Sequence, residues 1–373
     1  MKTFKILMLL FAFSAILLAE NDFKKELKIE PGKRLEVDLT SGGSLSIIGW
    51  DKNSVLIEAE SGGDDIDDFK FDIDENRSGL SLDVTHFGRG RHGGDLEVRI
   101  HVPQKFDLEL ETMGGDIAIE NIEGRIGGET MGGDLDLRRL KGRIKMTTMG
   151  GDIILRDSDL DGEVKTMGGE VEFEDVIGDI QGSTMGGDVT YRNVKRRESS
   201  GTEKEVSIST MGGEIKVDSA PAGANVSTMG GDVHIRSAAK YVKAKTMGGD
   251  IDIDAIDGAA KASTMGGDVT VKMIGDPNKG DREVDLSSMG GDITLTVPAG
   301  LSMDFDIKLT YTERARKDYK IISDFPIKLE ESEEWDYSQG SARKYIFGTG
   351  KVGNGKHKVR IETINGNIII KKG

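Results

Sequence analysis

Ten carboxylates recur in one register of this 373-residue chain: Asp116, Asp134, Asp152, Glu170, Asp188, Glu214, Asp232, Asp250, Asp268 and Asp292. Each closes a Thr-Met-Gly-Gly-Asp pentapeptide or a near copy of one, with Glu replacing Asp twice and Ser288 replacing the last Thr. A column of one sign repels itself unless something compensates it. Two arrangements would do so. Each carboxylate can fold back onto N–H groups of its own Gly-Gly turn, or a hard cation such as calcium can bridge neighbouring carboxylates while water completes its shell. Turn capping is the simpler expectation. Calcium, with these ten residues as its ligands, is the alternative, and no other cofactor is expected.

The same pentapeptide carries a second column, Met113, Met131, Met149, Met167, Met185, Met211, Met229, Met247, Met265 and Met289. Methionine fills irregular core space, so these are expected at a corner of the core. An exposed, oxidisable stripe is the alternative. The threonines before them are expected to stack as a hydroxyl ladder, bonding along the stack or to turn amides. The glycine pairs allow tight turns and close approach of neighbouring chain segments. They are not a phosphate loop, because no Gly-Lys-Ser/Thr follows them. The Gly-Gly-x-Gly-x-Asp order of calcium-binding nonapeptide repeats is also absent. Catalysis finds little support. His86, His92, His101, His234 and His357 do not cluster by spacing, and carboxylates are too common for pairs of them to be informative.

Something must hold these columns in register. The threonines lie at 112, 130, 148, 166, 184, 210, 228, 246 and 264, with Ser288 last, so the spacing is 18 residues except for two insertions. A short fixed period predicts units that pack mainly on their neighbours. Within each unit the residues after Gly-Gly-Asp alternate at period two: Ile117/Ile119, Leu135/Leu137, Ile153/Leu155, Val171/Phe173, Val189/Tyr191, Ile215/Val217, Val233/Ile235, Ile251/Ile253, Val269/Val271 and Ile293/Leu295. This is the signal of a half-buried strand and excludes a helix. The following column, from Glu120 through Arg138, Arg156, Glu174, Arg192, Asp218, Arg236 and Asp254 to Lys272, alternates in sign except at Arg138–Arg156. That suits strands stacked in register about 4.8 Å apart. The expected fold is therefore all-β: a parallel β-solenoid (β-helix) of stacked 18-residue coils, with degenerate capping coils at both ends. The insertions, around 195–201 and 275–280, fall at the second turn and are expected as surface loops on one edge.

Four segments follow. Residues 1–19, with Lys2, Lys5, an apolar run from Ile6 to Leu18 and Ala19, read as a signal peptide. Residues 20–105 read as an N-terminal β cap, 106–296 as the regular array, and 297–373 as degenerate coils and a C-terminal cap. Terminal units should be atypical because they must close an open sheet edge. The chain has no cysteine, so disulfides and thiol chemistry are excluded. Its formal net charge of −16 argues against nucleic acid as a partner. No membrane span is expected once the signal is removed.

Gly49-Trp50-Asp51, the Ile100-His101-Val102-Pro103 run, the many Gly-Gly-Asp-Ile units and the closing Thr363-Ile364-Asn365-Gly366-Asn367-Ile368 together resemble the DUF4097 family of bacterial β-strand-repeat proteins, often labelled adhesins. The resemblance implies a β-solenoid of the cell envelope and no established activity. The expected function is a non-enzymatic, exported envelope or surface scaffold, periplasmic, cell-surface or secreted, that presents a regular face to an envelope or surface protein or a polysaccharide. A polysaccharide-acting β-helix enzyme and an envelope-stress regulator are the alternatives.

Overall fold

A computed structural model of the protein describes residues 22–39, 41–62, 65–87, 96–195, 205–315, 318–338 and 340–373. The signal segment 1–19, His92, Gly93-Gly94-Asp95 and most of the first insertion lie outside the described residues.

The fold is all-β and its pairing is mostly parallel. After each Gly-Gly-Asp turn a short strand forms, as in Ile117–Glu120, Leu135–Arg138, Ile153–Arg156, Val171–Glu174 and Val189–Arg192. These strands stack in parallel register, Ile117 beside Leu135, Leu135 beside Ile153, and on to Val171 beside Val189. The return strands stack likewise, Glu123–Thr130 on Lys141–Thr148 on Asp159–Lys165. The result is solenoid-like, with two parallel walls joined at two corners. All twenty residues of the alternating column are buried, none more than 3% exposed. Burial of each Val, Leu or Ile contributes roughly 1.5–3 kcal/mol.

The core between the walls is narrow, and residue sizes trade across it. Phe173 and Tyr191 pack with their rings tilted and centroids 4.7 Å apart. Opposite them the return wall shrinks to Gly182, where a Cβ would lie 2.7 Å from Val171 and 2.9 Å from Phe173. The freed Gly182 N–H donates to the Tyr191 hydroxyl at 2.8 Å. Further along, Ala224, Ala244, Ala260 and Ala262 form the buried return wall against Ile and Val partners.

The second corner is turned by left-handed residues: Asn121, Arg139, Asp157, Asp175 and Asn193 have φ between 49° and 62°. Asn and Asp tolerate this region better than most residues; Arg139 does not share that preference. The alternating charge column is realised only in part. Arg156 meets Glu174 at 3.0 Å and Arg236 meets Asp218 at 3.9 Å across neighbouring repeats, whereas Arg138 turns to Asp136 in its own strand and Arg192 crosses to Glu172. The second insertion is anchored. Arg282 is 1% exposed beneath it, donating to the carbonyls of Lys279 and Ile274 and to the Asp257 carboxylate.

The ends depart from simple succession. Arg34–Leu39 and Ser44–Trp50 lie against the first regular repeat, with Leu35 beside Leu108 and Leu45 beside Ile117. Their outer parallel neighbours are Gly79–His86 and Leu96–Pro103, which come later in the chain. Antiparallel strands then close this end: Ser54–Ser61 covers Leu96–Pro103, Asp22–Lys28 covers Ser54–Ser61, and Phe69–Glu75 covers Gly79–His86. The other end mirrors this. His357–Ile364 lies between Val284–Ser288 and Met303–Thr312, and Ile368–Lys372 lies between Ile293–Val297 and Ile321–Ser323. Antiparallel Arg343–Val352 covers Met303–Thr312. Both caps are therefore antiparallel, with one degenerate repeat interleaved beneath each.

Candidate functional site

The Thr-Met-Gly-Gly-Asp corner is the one edge where identical chemistry recurs along the whole array. Its threonines point inward and are buried, at 0–4% exposure. Thr148 is representative: its Oγ1 donates to the Gly133 carbonyl of the preceding repeat at 2.7 Å and accepts from the Gly151 N–H of its own turn at 3.3 Å. Ser288 makes the same two bonds at 2.8 and 2.9 Å. Thr112 and Thr363 extend the ladder at either end, donating to Gly43 and Gly291. The hydroxyl column thus clamps each turn to the one before it, in both ways the sequence suggested.

The second glycine of each pair is fixed by crowding. A Cβ on Gly115, Gly133, Gly151, Gly169, Gly187, Gly213, Gly231, Gly249, Gly267 or Gly291 would sit 1.9–2.2 Å from the carbonyl oxygen of the preceding turn. The first glycine is not so constrained. A Cβ there meets nothing within 4 Å at Gly114, and at the other nine positions its nearest neighbour is 3.0–3.7 Å away. None of these first glycines adopts positive φ.

The acidic column runs along the outer side of the corner. All eight aspartates, Asp116, Asp134, Asp152, Asp188, Asp232, Asp250, Asp268 and Asp292, accept through Oδ1 from the backbone N–H of the corresponding residue in the next repeat, at 2.7–2.8 Å. The donor differs from the expected one. The second-glycine N–H is already taken by the threonine hydroxyl, so the carboxylate reaches forward to the next repeat instead of back to its own turn. Glu170 and Glu214 are one methylene longer; Glu214 pairs with the Lys216 ammonium at 2.6 Å. Among the described residues, no three His, Cys, Asp or Glu side chains are grouped so as to hold a metal ion.

The methionines overturn the expected core corner. Met113 to Met289 are all exposed, at 42–58%. The reason is alternation: threonine takes the inward position, so the next residue must point out. Period two, visible in the strands, continues one residue further into the corner. Buried methionine does occur elsewhere, at Met146, Met273 and Met303, each no more than 2% exposed. Ten side chains at a strand spacing of about 4.8 Å make an apolar stripe about 43 Å long.

Other chemistry is dispersed. His101 packs at a tilt against Trp50 with centroids 5.0 Å apart, His234 meets Asp254 at 3.2 Å, and His357 is buried in the interleaved C-terminal repeat. A groove of about 590 Å³ on the return wall is lined by Arg34, Asp107, Glu109, Arg125, Arg143 and Lys145. Much of its charge is internally matched. Burial alone would raise the Asp107 carboxyl, but the Arg125 backbone N–H and guanidinium outweigh it and hold the group below the usual carboxylate range. Arg34 pairs with Glu36 at 3.0 Å. Among the described residues no helix is long and apolar enough to cross a membrane.

A family model, Toastrack DUF4097, matches residues 157–371. No curated protein matches the sequence. Among solved structures, a "putative cell adhesion protein" from Clostridium sporogenes is 10% identical, with 94% of this chain and 100% of that one covered and a TM-score of 0.19. A "putative adhesin" from Parabacteroides merdae is 12% identical over 74% of this chain and 96% of that one, with a TM-score of 0.31. A "Putative lipid binding protein" from Parabacteroides distasonis is 15% identical over the same shares, with a TM-score of 0.27. At such low TM-scores none of the three bears on what this chain binds.

Proposed function

The chain belongs to the Toastrack DUF4097 family, and on that premise we propose that it is a non-enzymatic, exported scaffold of the cell envelope or surface: an adhesin-like parallel β-solenoid of 18-residue coils that presents one repeated edge to a partner. The observation that carries this reading is the exposed methionine stripe. Its units are alike, so contact can spread over many repeats, each adding a small increment, whereas catalysis requires an acid, a base and a nucleophile gathered at one place. Methionine suits such a face because its flexible thioether adapts to varied partner shapes. The partner is an envelope or surface protein or polysaccharide.

The test immobilises the purified chain and measures retention of purified envelope polysaccharides and of defined surface proteins. Retention should fall when Met167, Met185, Met211 and Met229 are replaced together by Lys while the β-type circular dichroism is unchanged. Turnover of a polysaccharide by the purified protein, abolished by one point substitution, would overturn the reading in favour of an enzyme.

A further inference from the structure

The fold accounts for three residues of each pentapeptide. Threonine clamps successive turns, the second glycine permits their close approach, and aspartate accepts the next repeat's amide. It does not account for methionine or the first glycine. An outward corner position accepts almost any polar residue, and the interleaved closing repeat has Ile364 where the regular repeats have Met. Seven of the ten first-glycine positions would meet an added Cβ no closer than 3.4 Å, an ordinary contact, and their φ would tolerate a side chain. Yet Met-Gly recurs ten times without exception. The bare glycine has one local effect: no side chain stands beside the thioether to cover it.

We propose that this edge is a thioether ladder that binds soft monovalent cations, copper(I) or silver(I). Soft sulfur ligands select such ions over calcium, magnesium or zinc. The chain has no cysteine, so thioethers are its only sulfur ligands. Neighbouring methionines are direct backbone partners: Met211 N–H donates to the Met185 carbonyl, Met229 to Met211 and Met247 to Met229, each at 3.2 Å. Their side chains therefore leave the wall about 4.8 Å apart. Two metal–sulfur bonds of zinc–thiolate length, about 2.3 Å, placed end to end span about 4.6 Å. A linear S–metal–S bridge between neighbours thus needs no movement of the backbone. The adjacent carboxylates are hard ligands already engaged with amides, and they together with the net charge of −16 attract cations without competing for soft ones. Binding is coordination alone. No electron moves, and a thioether has no proton to release, so uptake should not depend on pH where imidazole or thiolate sites would. This inference does not depend on the scaffold reading.

The test titrates the purified protein with silver(I) in chloride-free buffer, and with copper(I) under anaerobic conditions, at pH 5.5 and 7.5. The expected capacity is about five ions per chain, one for each pair of methionines, equal at both pH values, with a sulfur-only shell by X-ray absorption. Replacing Met185, Met211, Met229 and Met247 by Leu should lower capacity by about two-fifths, because four of the ten ligands are gone, and leave the metal-free melting curve unchanged. No uptake, a capacity undiminished by the Leu substitutions, a nitrogen or oxygen shell, or uptake lost at pH 5.5 would each overturn the proposal.

Discussion

Replacing Gly231 by Ala and, separately, Gly230 by Ala separates what the fold needs from what it merely carries. The two residues are adjacent and chemically identical. At Gly231 the new methyl would lie 2.1 Å from the Gly213 oxygen and 2.4 Å from its carbonyl carbon. Both are backbone atoms of the preceding turn, so no rotamer change relieves the clash, and the turns must separate by about 1 Å. Such a gap forfeits a quarter to a half of the local van der Waals attraction. It also stretches the Thr228 Oγ1–Gly213 carbonyl bond, now 2.9 Å, and the Ile215 N–H to Asp232 carbonyl bond, now 2.9 Å. Overpacking of about 1–3 kcal/mol together with roughly 1 kcal/mol for each of the two weakened bonds puts the loss at about 3–5 kcal/mol. At Gly230 the methyl meets the Gly212 oxygen at 3.4 Å, an ordinary contact. There the reduced freedom of the unfolded chain favours Ala by about 0.4–1 kcal/mol. Urea unfolding followed by circular dichroism should place Gly230→Ala at or slightly above the parent midpoint and Gly231→Ala well below it. If Gly230→Ala is as destabilising as Gly231→Ala, the first glycine is structural and is not there to leave the thioether open to a ligand.

Thr228→Val should cost about 1–2 kcal/mol by removing one donated and one accepted bond, whereas Thr228→Ser should stay within about 0.5 kcal/mol, since Ser288 already makes both bonds; thermal melts of the pair decide this. Arg282→Ala should cost about 2–3 kcal/mol and increase proteolytic nicking within 275–281, because three hydrogen bonds from one buried guanidinium hold that loop; equal nicking would show that the loop is held otherwise. His357 is buried with no hydrogen-bond partner at Nε2, and burial, reinforced by Lys356 and Arg282 and opposed by Asp281 and Glu283, lowers its pKa. Its stabilising contribution is therefore full well above the unfolded value of about 6.5 and is lost as pH falls through that value towards the lower folded one. Melting temperatures at pH 7.5 and 5.5 should fall more for the parent than for His357→Gln, and parallel falls would remove His357 as the cause. Calcium at millimolar concentration should shift the melting temperature little, because each Asp Oδ1 already accepts an amide; a shift that grows with occupancy, and is absent with magnesium, would favour cation bridging instead.

The regular array was legible because its burial obeys one rule. Alternation at period two names the inward residues of the first strand of each repeat from Ile117 to Leu295, and an 18-residue step, broken by two insertions, states which residue neighbours which. The methionine column was misplaced for a local reason: hydrophobicity suggested burial, but position decides it, and Thr already occupied the inward side of the corner. The direction of the aspartate bond was hidden because it depends on which acceptor reaches the glycine amide first. The caps were least legible. Phe69–Glu75 alternates like any other strand, Arg343–Val352 shows no clean alternation, and nothing in alternation distinguishes a parallel from an antiparallel neighbour. That choice is made by contacts tens of residues away.

The interleaved ends also impose an order in time. Residues 357–372 fill a gap between strands 284–297 and strands 303–323, all of which leave the ribosome earlier. Ile293 waits 75 residues for Ile368. Until then the tenth repeat offers an open parallel edge, the kind of surface that recruits another chain. The strand 303–312 likewise has only its antiparallel cover once residue 352 has emerged. The last repeat therefore acts as a keystone, and a product cut short before residue 357 would contain every regular repeat and still be unsealed. Pairing over so long a separation is also slow to form. A cell making this protein needs a means of keeping that edge apart from its copies until the keystone arrives.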